Sequence, residues 1–440
     1  MPERLHTSVR PAPLAHRWAL RLLTPVLLAS TLLTSACTEE LEGGAGCPLL
    51  CPQQQAPFRD TVIDAIVLDT TLGPYPVLGV SAGALLASRG DTLETHVIVR
   101  FDQLPDTYAP NGGAVTEGIT TVDSTFLRFF VDTLGTRATE PFTLEVFDVD
   151  TTEADSVAAV VQSLFRPDRK VGELQLDSAT LTDSLRIPID REVLRARIEA
   201  RSRLRLGVRI APGANAQMRV GALVAGQPVP RLTFDPASDT TYIPLDVVPS
   251  TVLQGAESDE VLRLAYTVYT LTVRGAAPRP AGALRVGGYP ADRAYLRVNI
   301  PSSIIDSSTI VRAELLLTQR PSADGPDRGD SVGVQPFVGI ARSGIQDLYF
   351  TTALAANGQL AGVDSLVLVP RDSGQRVFNI VTLVRGWRTL DADVPRFLAL
   401  RIGGEGTQGA QVLFHDGSAA AALRPRLRLT YLPRTEIALP

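Results

Sequence analysis

The chain repeats itself, and that repeat limits what it can fold into. Arg100-Phe101-Asp102 returns as Arg297-Val298-Asn299, and Arg231-Leu232-Thr233-Phe234 returns as Arg428-Leu429-Thr430-Tyr431, each pair 197 residues apart. Between them, "LGVRIAPG" (206–213) answers "LALRIGGE" (398–405) at a slightly shorter offset. A period this long belongs to tandem domains and not to a solenoid of short units. At 440 residues the chain also exceeds what one hydrophobic core usually serves. The repeat therefore predicts two domains, 59–236 and 237–440, with a boundary near "DPASDTT" (235–241).

Within each copy the pattern is that of strands. Short runs of Val, Ile, Leu, Phe and Thr alternate with polar residues and are cut by Gly, Pro, Asp and Asn, as in "THVIVRFDQLP", "EPFTLEVFDVD", "VRAELLLTQR" and "RPRLRLTYLP". Helical periodicity is nearly absent. Its best case is "DREVLRARIEAR", where Asp190 can cap and Val193, Leu194 and Ile198 form one apolar edge. The pattern predicts an all-β chain of two tandem antiparallel β-sandwiches, each packing two apolar faces about 10 Å apart.

The first 36 residues read as an export signal. Arg10, Arg17 and Arg21 precede "LLTPVLLASTLLTSA", an apolar run too short to span a bilayer as a stable helix. Thr34, Ser35 and Ala36 before Cys37 resemble the lipobox of bacterial lipoproteins. That resemblance implies cleavage before Cys37 and acylation of its thiol and new amine. Several acyl chains, at about 0.8 kcal/mol per buried methylene, give a lasting hold on a membrane. Thr38, where an Asp would retain the protein at the inner membrane, implies the outer membrane. Residues 37–58 then read as a polar tether rich in Gly, Pro and Gln. Cys47 and Cys51 can close a small disulfide, worth about 2 kcal/mol at most; without a neighbouring His they make a poor zinc site.

Gly79-Val80-Ser81-Ala82-Gly83 spells G-x-S-x-G and is similar to the serine motif of patatin-type lipases. The second copy keeps Ala281-Gly282-Ala283-Leu284 opposite Ala82-Gly83-Ala84-Leu85 but has Pro280 in place of Ser81. A nucleophile elbow needs a parallel α/β sheet, an oxyanion loop and a base. The chain reads antiparallel, and its mature histidines are only His96 and His415. The motif reads as a turn into a strand, and no catalytic residue is assigned. The only lysine, Lys170, lies in a polar loop with Arg166 and Arg169. A net charge of −5 offers no basis for nucleic-acid binding.

The second copy, about residues 280–433, resembles the DNRLRE-type domains of secreted bacterial proteins. The pieces that carry the likeness come in that family's order: "AYLRVNIPSSI", "TIVRAELLLT", "VFNIVTLVRGW", "FLALRI" and "VLFHDGSAAAALRPRLRLTY". The resemblance implies a jelly-roll β-sandwich related to carbohydrate-binding modules. This chain lacks the family's mid-strand tryptophans, and Trp387 is the only Trp after residue 36, so no binding residue is carried over. Phe378, Leu383 and Trp387 are expected to pack against the sandwich.

Candidate sites come from the residues themselves. "FDVDTTEAD" offers Asp148, Asp150, Glu153 and Asp155 as calcium ligands, and "ADGPDRGD" offers Asp324, Asp327 and Asp330; solvated turns explain both loops as well. No other cofactor is implied. With aromatics at 6%, the candidates for a sugar platform are Tyr75, Tyr108, Tyr289 and Tyr349. Arg191, Arg195, Arg197, Arg201, Arg203 and Arg205 read as one solvated face with buried stems. Together these features point to a non-catalytic, membrane-anchored envelope protein. Its partner is a polysaccharide or surface glycan, or alternatively other envelope proteins to which it serves as a scaffold.

Overall fold

The computed structural model describes residues 58–75, 83–110, 113–153, 157–177, 180–222, 229–236, 244–249, 266–275, 278–322, 331–340, 365–390 and 394–434. They form an antiparallel all-β structure with two separate hydrophobic cores, as the alternation predicts. No helix among them is long and apolar enough to cross a membrane.

The chain enters through β1 (Arg59–Ile63) and β2 (Ile66–Tyr75), then runs through β3 (Gly83–Arg89), β4 (Leu93–Phe101), the short pair β5 (Thr107–Tyr108) and β6 (Glu117–Gly118), β7 (Ser124–Ala138) and β8 (Phe142–Asp148). Helix α1 (Ala158–Ser163) precedes β9 (Lys170–Leu176) and β10 (Ser184–Pro188). Helix α2 (Arg191–Glu199) leads to β11 (Leu204–Ile210), β12 (Asn215–Gly221) and β13 (Arg231–Asp235). In the first sandwich, β13-β7-β12-β3 forms one layer, the β3–β4 hairpin turns the corner, and β4-β11-β8-β9 forms the other, with β10 also on β7. Val97, Val99 and Phe101 of β4 meet Leu127, Phe129, Leu232 and Phe234 between the layers. Asp190 caps α2 as expected, its carboxylate accepting from the Glu192 N–H at 3.0 Å, while Leu194 and Ile198 are buried.

On β4 the outward residues are buried too. Ile98 lies in a small cluster with Phe147, Val161, Tyr269 and Leu271, and the Phe165 ring lies tilted against His96 at 4.2 Å between ring centroids. The β8–β9 connection thus roofs the outer face. Gly207 makes that roof fit, because a Cβ there would lie 2.5 Å from the Phe165 ring. This explains why every residue of "THVIVRF" is buried, the polar ones included.

After β14 (Leu245–Val247) and β15 (Val268–Arg274) the second copy begins: β16 (Ala283–Gly287), β17 (Ala291–Val298), α3 (Ser302–Ile305), β18 (Ser308–Arg320), β19 (Val332–Ile340), β20 (Leu366–Leu368), β21 (Gly374–Asn379), α4 (Val381–Trp387), β22 (Arg396–Ile402), β23 (Gln411–His415) and β24 (Arg426–Pro433). It retraces the first: β24-β18-β23-β16 in one layer, β17-β22-β19-β20 in the other, and β21 on β18. Phe378, Leu383 and Trp387 are buried in its core, as the sequence predicts.

The outermost strands, however, change places. β1 pairs with β24 from Arg59↔Tyr431 to Ile63↔Leu427, and β2 pairs with β17 from Ala291↔Tyr75 to Val298↔Ile66. β14 pairs with β13 and β15 with β4, in the equivalent positions of the first sandwich. Residues 59–75, which the repeat assigns to the first domain, therefore complete the second. Strands within 245–274, which it assigns to the second, complete the first. A sequence repeat marks equivalent strands, but only backbone hydrogen bonding decides which copy a strand joins.

Equivalent threonines stitch each visiting strand to its sandwich. Thr71 Oγ1 accepts from the Arg285 N–H at 3.1 Å, and Thr270 Oγ1 accepts from the Leu85 N–H at 3.0 Å. Between the sandwiches, Tyr289 of the β16–β17 turn is buried among Leu85, Ala87 and Leu93. Its hydroxyl bonds with Thr270 and Thr272, and burial pushes its pKa up to about 12.

Ile63, Ile66 and Leu72 pack from the visiting strands onto the second sandwich. A fully buried Ile or Leu contributes about 1.5–3 kcal/mol, so these half-buried side chains and the lost ladder together amount to roughly 4 kcal/mol or more. Deleting residues 58–75 is expected to destabilise the second sandwich by at least that amount while the first stays folded. Denaturant unfolding monitored by Trp387 fluorescence checks this, and a 58–75 peptide added in trans is expected to restore the transition.

Candidate ligand-binding cleft

Most of the sequence-derived site residues are absorbed by the fold. Tyr289 is no sugar platform, because its turn is clamped between the sandwiches and its ring is buried. Tyr108 is half-buried, packs against the first core and stands opposite Glu117 in the β5–β6 pair. Tyr75 closes β2 opposite Ala291. Cys37, Cys47, Cys51, Ser81, Asp155, Asp324, Asp327, Asp330 and Tyr349 lie outside the described residues.

The acid-rich loop after β8 is held by arginines. Arg197 bonds Asp148 at 2.6 Å and Asp150 at 3.0 Å, and Arg203 reaches the other Asp150 oxygen at 2.7 Å. Arg169 donates to the carbonyls of Asp148 and Asp150, and Arg203 to that of Thr151. The carboxylate oxygens offered to calcium thus face guanidinium N–H groups. Among the described residues no three His, Cys, Asp or Glu side chains gather as a metal-binding group. The same contacts break up the expected arginine face. Arg191 and Arg195 are solvated on α2, Arg197 and Arg203 are half-buried in the loop network, and Arg205 is fully buried on β11 opposite Arg100. Strand alternation sends neighbouring arginines to different environments.

One of them, Arg201, borders a cleft among the described residues. This concavity of about 740 Å³ lies at the end of the first sandwich, where the loop after β4, the end of α2 and the visiting strand β14 meet. Its size suits a small-molecule site. Leu104, Pro105, Leu245, Val247 and Val248 supply apolar surface, and Leu104, Leu245 and Val247 also pack on the core. Asp102, Gln103, Asp106, Arg201, Ser202 and Asp246 supply donors and acceptors. Arg201 follows the C-cap of α2 with a left-handed backbone, φ 48°, a conformation costing a non-glycine residue roughly 1–2 kcal/mol. It is held at the rim by a 3.0 Å ion pair with Asp106. Asp102 is fixed from behind by Arg100 at 3.0 Å, both side chains being buried. Asp246 is held by Arg231 and Thr233. The carboxylates are therefore oriented and charge-compensated, an arrangement suited to hydrogen-bonding a neutral polar ligand. No sequence motif signalled this cleft, because β14 reaches it from beyond the boundary that the repeat marks.

The histidines are poorly disposed for proton transfer. His96 is buried beneath Phe165 with Nε2 3.2 Å from Glu94, and burial pushes its pKa down to about 4, against the pull of Glu94. His415 sits on β23 opposite Ala283, in the second sandwich, and burial lowers its pKa as well.

No family model and no curated protein matches the chain. Among solved structures it is similar to that of the Macrobrachium rosenbergii nodavirus, at 10% identity over 89% of this chain and 97% of that chain, with a TM-score of 0.16. The broad bean stain virus structure follows at 10% identity, 80% and 92% coverage and a TM-score of 0.14. The T=1 particles derived from infectious bursal virus give 11%, 82% and 76%, and 0.13. Scores this low carry no argument.

A buried neutral His96 makes folding pH-dependent. Its folded pKa lies below the unfolded value near 6.5, so its contribution is complete above that pH and is lost as pH falls toward about 4. The shift corresponds to about 3 kcal/mol. His96→Gln is expected to flatten the fall in melting temperature between pH 6.5 and 4 relative to wild type.

Proposed function

We propose that this chain is a lipid-anchored, non-catalytic binding protein of the bacterial outer membrane that takes a polysaccharide or surface glycan in the end cleft of its first sandwich. The observation that carries the reading is the cleft itself: preoriented carboxylate, amide, hydroxyl and guanidinium groups beside an apolar floor, a combination suited to a polyhydroxylated ligand. In this reading Cys37 carries the lipid and residues 37–58 are the tether, which meets the folded unit at β1. The second copy is a DNRLRE-type module. The non-catalytic reading draws support from His96, because an imidazole of pKa about 4 is a weak general base at neutral pH.

The reciprocal strand exchange favours a second reading, a scaffold for other envelope proteins. Two sandwiches that share strands and the Tyr289 contact transmit load as one body.

The anchor is tested by Cys37→Ser, which is expected to leave an uncleaved or soluble precursor; normal processing and membrane retention in that variant would remove the lipoprotein reading. For the ligand, the mature protein purified in neutral detergent is applied to an oligosaccharide array. Binding is expected, and Asp106→Ala and Arg201→Ala are each expected to weaken it at least tenfold. A silent array rejects glycan binding and leaves the scaffold reading.

A further inference from the structure

The second sandwich has a cleft of its own at the equivalent end, about 440 Å³ in volume, lined by Val67, Leu68, Arg297, Val298, Asn299, Val394, Pro395 and Arg396. The two copies differ there in one informative way. In the first, Arg100 and Asp102 form a buried ion pair at 3.0 Å, and the Arg100 N–H donates to the carbonyl of buried Thr267. In the second, the aspartate is replaced by Asn299, a neutral residue, and Arg297 is exposed. Leu68 stands opposite Arg297 in the β2–β17 ladder and is 46% exposed, whereas Thr267, its counterpart beside Arg100, is fully buried. An ion pair that serves the first sandwich has become an arginine facing solvent without its counter-charge.

Arg396 lines the same cleft, with only a long 3.5 Å hydrogen bond from Nε to the Trp387 carbonyl. Among the described residues no carboxylate lines the cleft, and none pairs with Arg297 or Arg396. The remaining wall is apolar. The β2–β17 register shifts between Arg297 and Val298, which leaves Val67 as the extra residue of a bulge and 56% exposed. Bulges commonly re-aim side chains beside binding sites. Val394 and Pro395 complete that side.

We propose that this cleft binds a phosphorylated amphiphile, its phosphate held by Arg297 and Arg396 and its alkyl part lying along Val67, Leu68, Val394 and Pro395. A planar guanidinium presents paired N–H donors that match phosphate oxygens, and two of them compensate a phosphate's charge. Exposed aliphatic side chains beside them add about 25 cal/mol per Å² of alkyl surface covered, which inorganic phosphate cannot use. The site depends neither on lipidation of Cys37 nor on the first cleft.

The test is calorimetric titration of the mature chain with hexyl phosphate, inorganic phosphate and hexyl glucoside. Hexyl phosphate is expected to bind at least tenfold more tightly than either of the others. Arg297→Gln and Arg396→Gln are each expected to weaken it tenfold or more. Asn299→Asp restores the counter-charge and is expected to do the same with an unchanged or higher melting temperature, which separates loss of the site from loss of the fold. Sedimentation with phosphatidic acid vesicles, abolished by Arg297→Gln, identifies a membrane lipid as the source; hexyl phosphate binding without sedimentation identifies a soluble ester, and both fit the proposal. Equal affinity for hexyl phosphate and inorganic phosphate, binding indifferent to all three substitutions, or no binding at millimolar concentration overturns it.

Discussion

The backbone ladder between β2 and β17 is the constraint on which the rest of this structure depends. β17 is a central strand with buried residues on both faces, so its second edge cannot be left open without stranding N–H and C=O groups. The strand that closes it comes from more than 200 positions earlier in the chain. In the first sandwich the same edge of β4 is closed by β15, which arrives from the other side of the boundary. Each copy is thus completed by strands that the repeat assigns to its partner, and the two cores are tied by covalent chain as well as by the Tyr289 contact.

This arrangement also places the clefts. Each forms where the loop after an edge-closed strand, β4 or β17, meets the segment before β11 or β22 and a visiting strand. They lie beside equivalent loops, but β14 walls the first and β2 the second, and their chemistry differs. Asp102 neutralises Arg100 at the first, whereas at the second Asn299 takes that place and no carboxylate among the described residues pairs with Arg297. Duplicated scaffolds allow such divergence because the copy's core, built from Leu296, Val298, Leu398 and Leu400, does not depend on the charge of a loop residue.

Several features could be read directly from the residues. Alternation in "VRAELLLTQR" and "LGVRIAPG" announces antiparallel strands because inward and outward side chains have period two. Asp190 announces the start of α2 because its carboxylate satisfies a free N–H. The burial of Trp387 follows from its place on the apolar edge of α4, beside Leu383 and Val384. Each of these signals is local. Tyr289 illustrates the limit: its turn has the composition of an exposed loop, and nothing nearby in sequence reveals that Leu85, Ala87 and Leu93 lie over it.

By itself, then, the sequence determined the all-β class, the duplication, the helix before β11 and the apolar faces that make the two cores, since periodicity and capping are written in adjacent residues. Only the tertiary structure decided that β1 and β2 complete the second sandwich and β14 and β15 the first, that Asp148 and Asp150 face Arg197 and Arg203, and that Arg100 is buried while Arg297 is exposed. The physical reason is that backbone hydrogen bonds are the same for every residue. They carry no address in sequence, so the partner of an edge strand, and with it the surroundings of each charge beside it, is set by how the cores close in space.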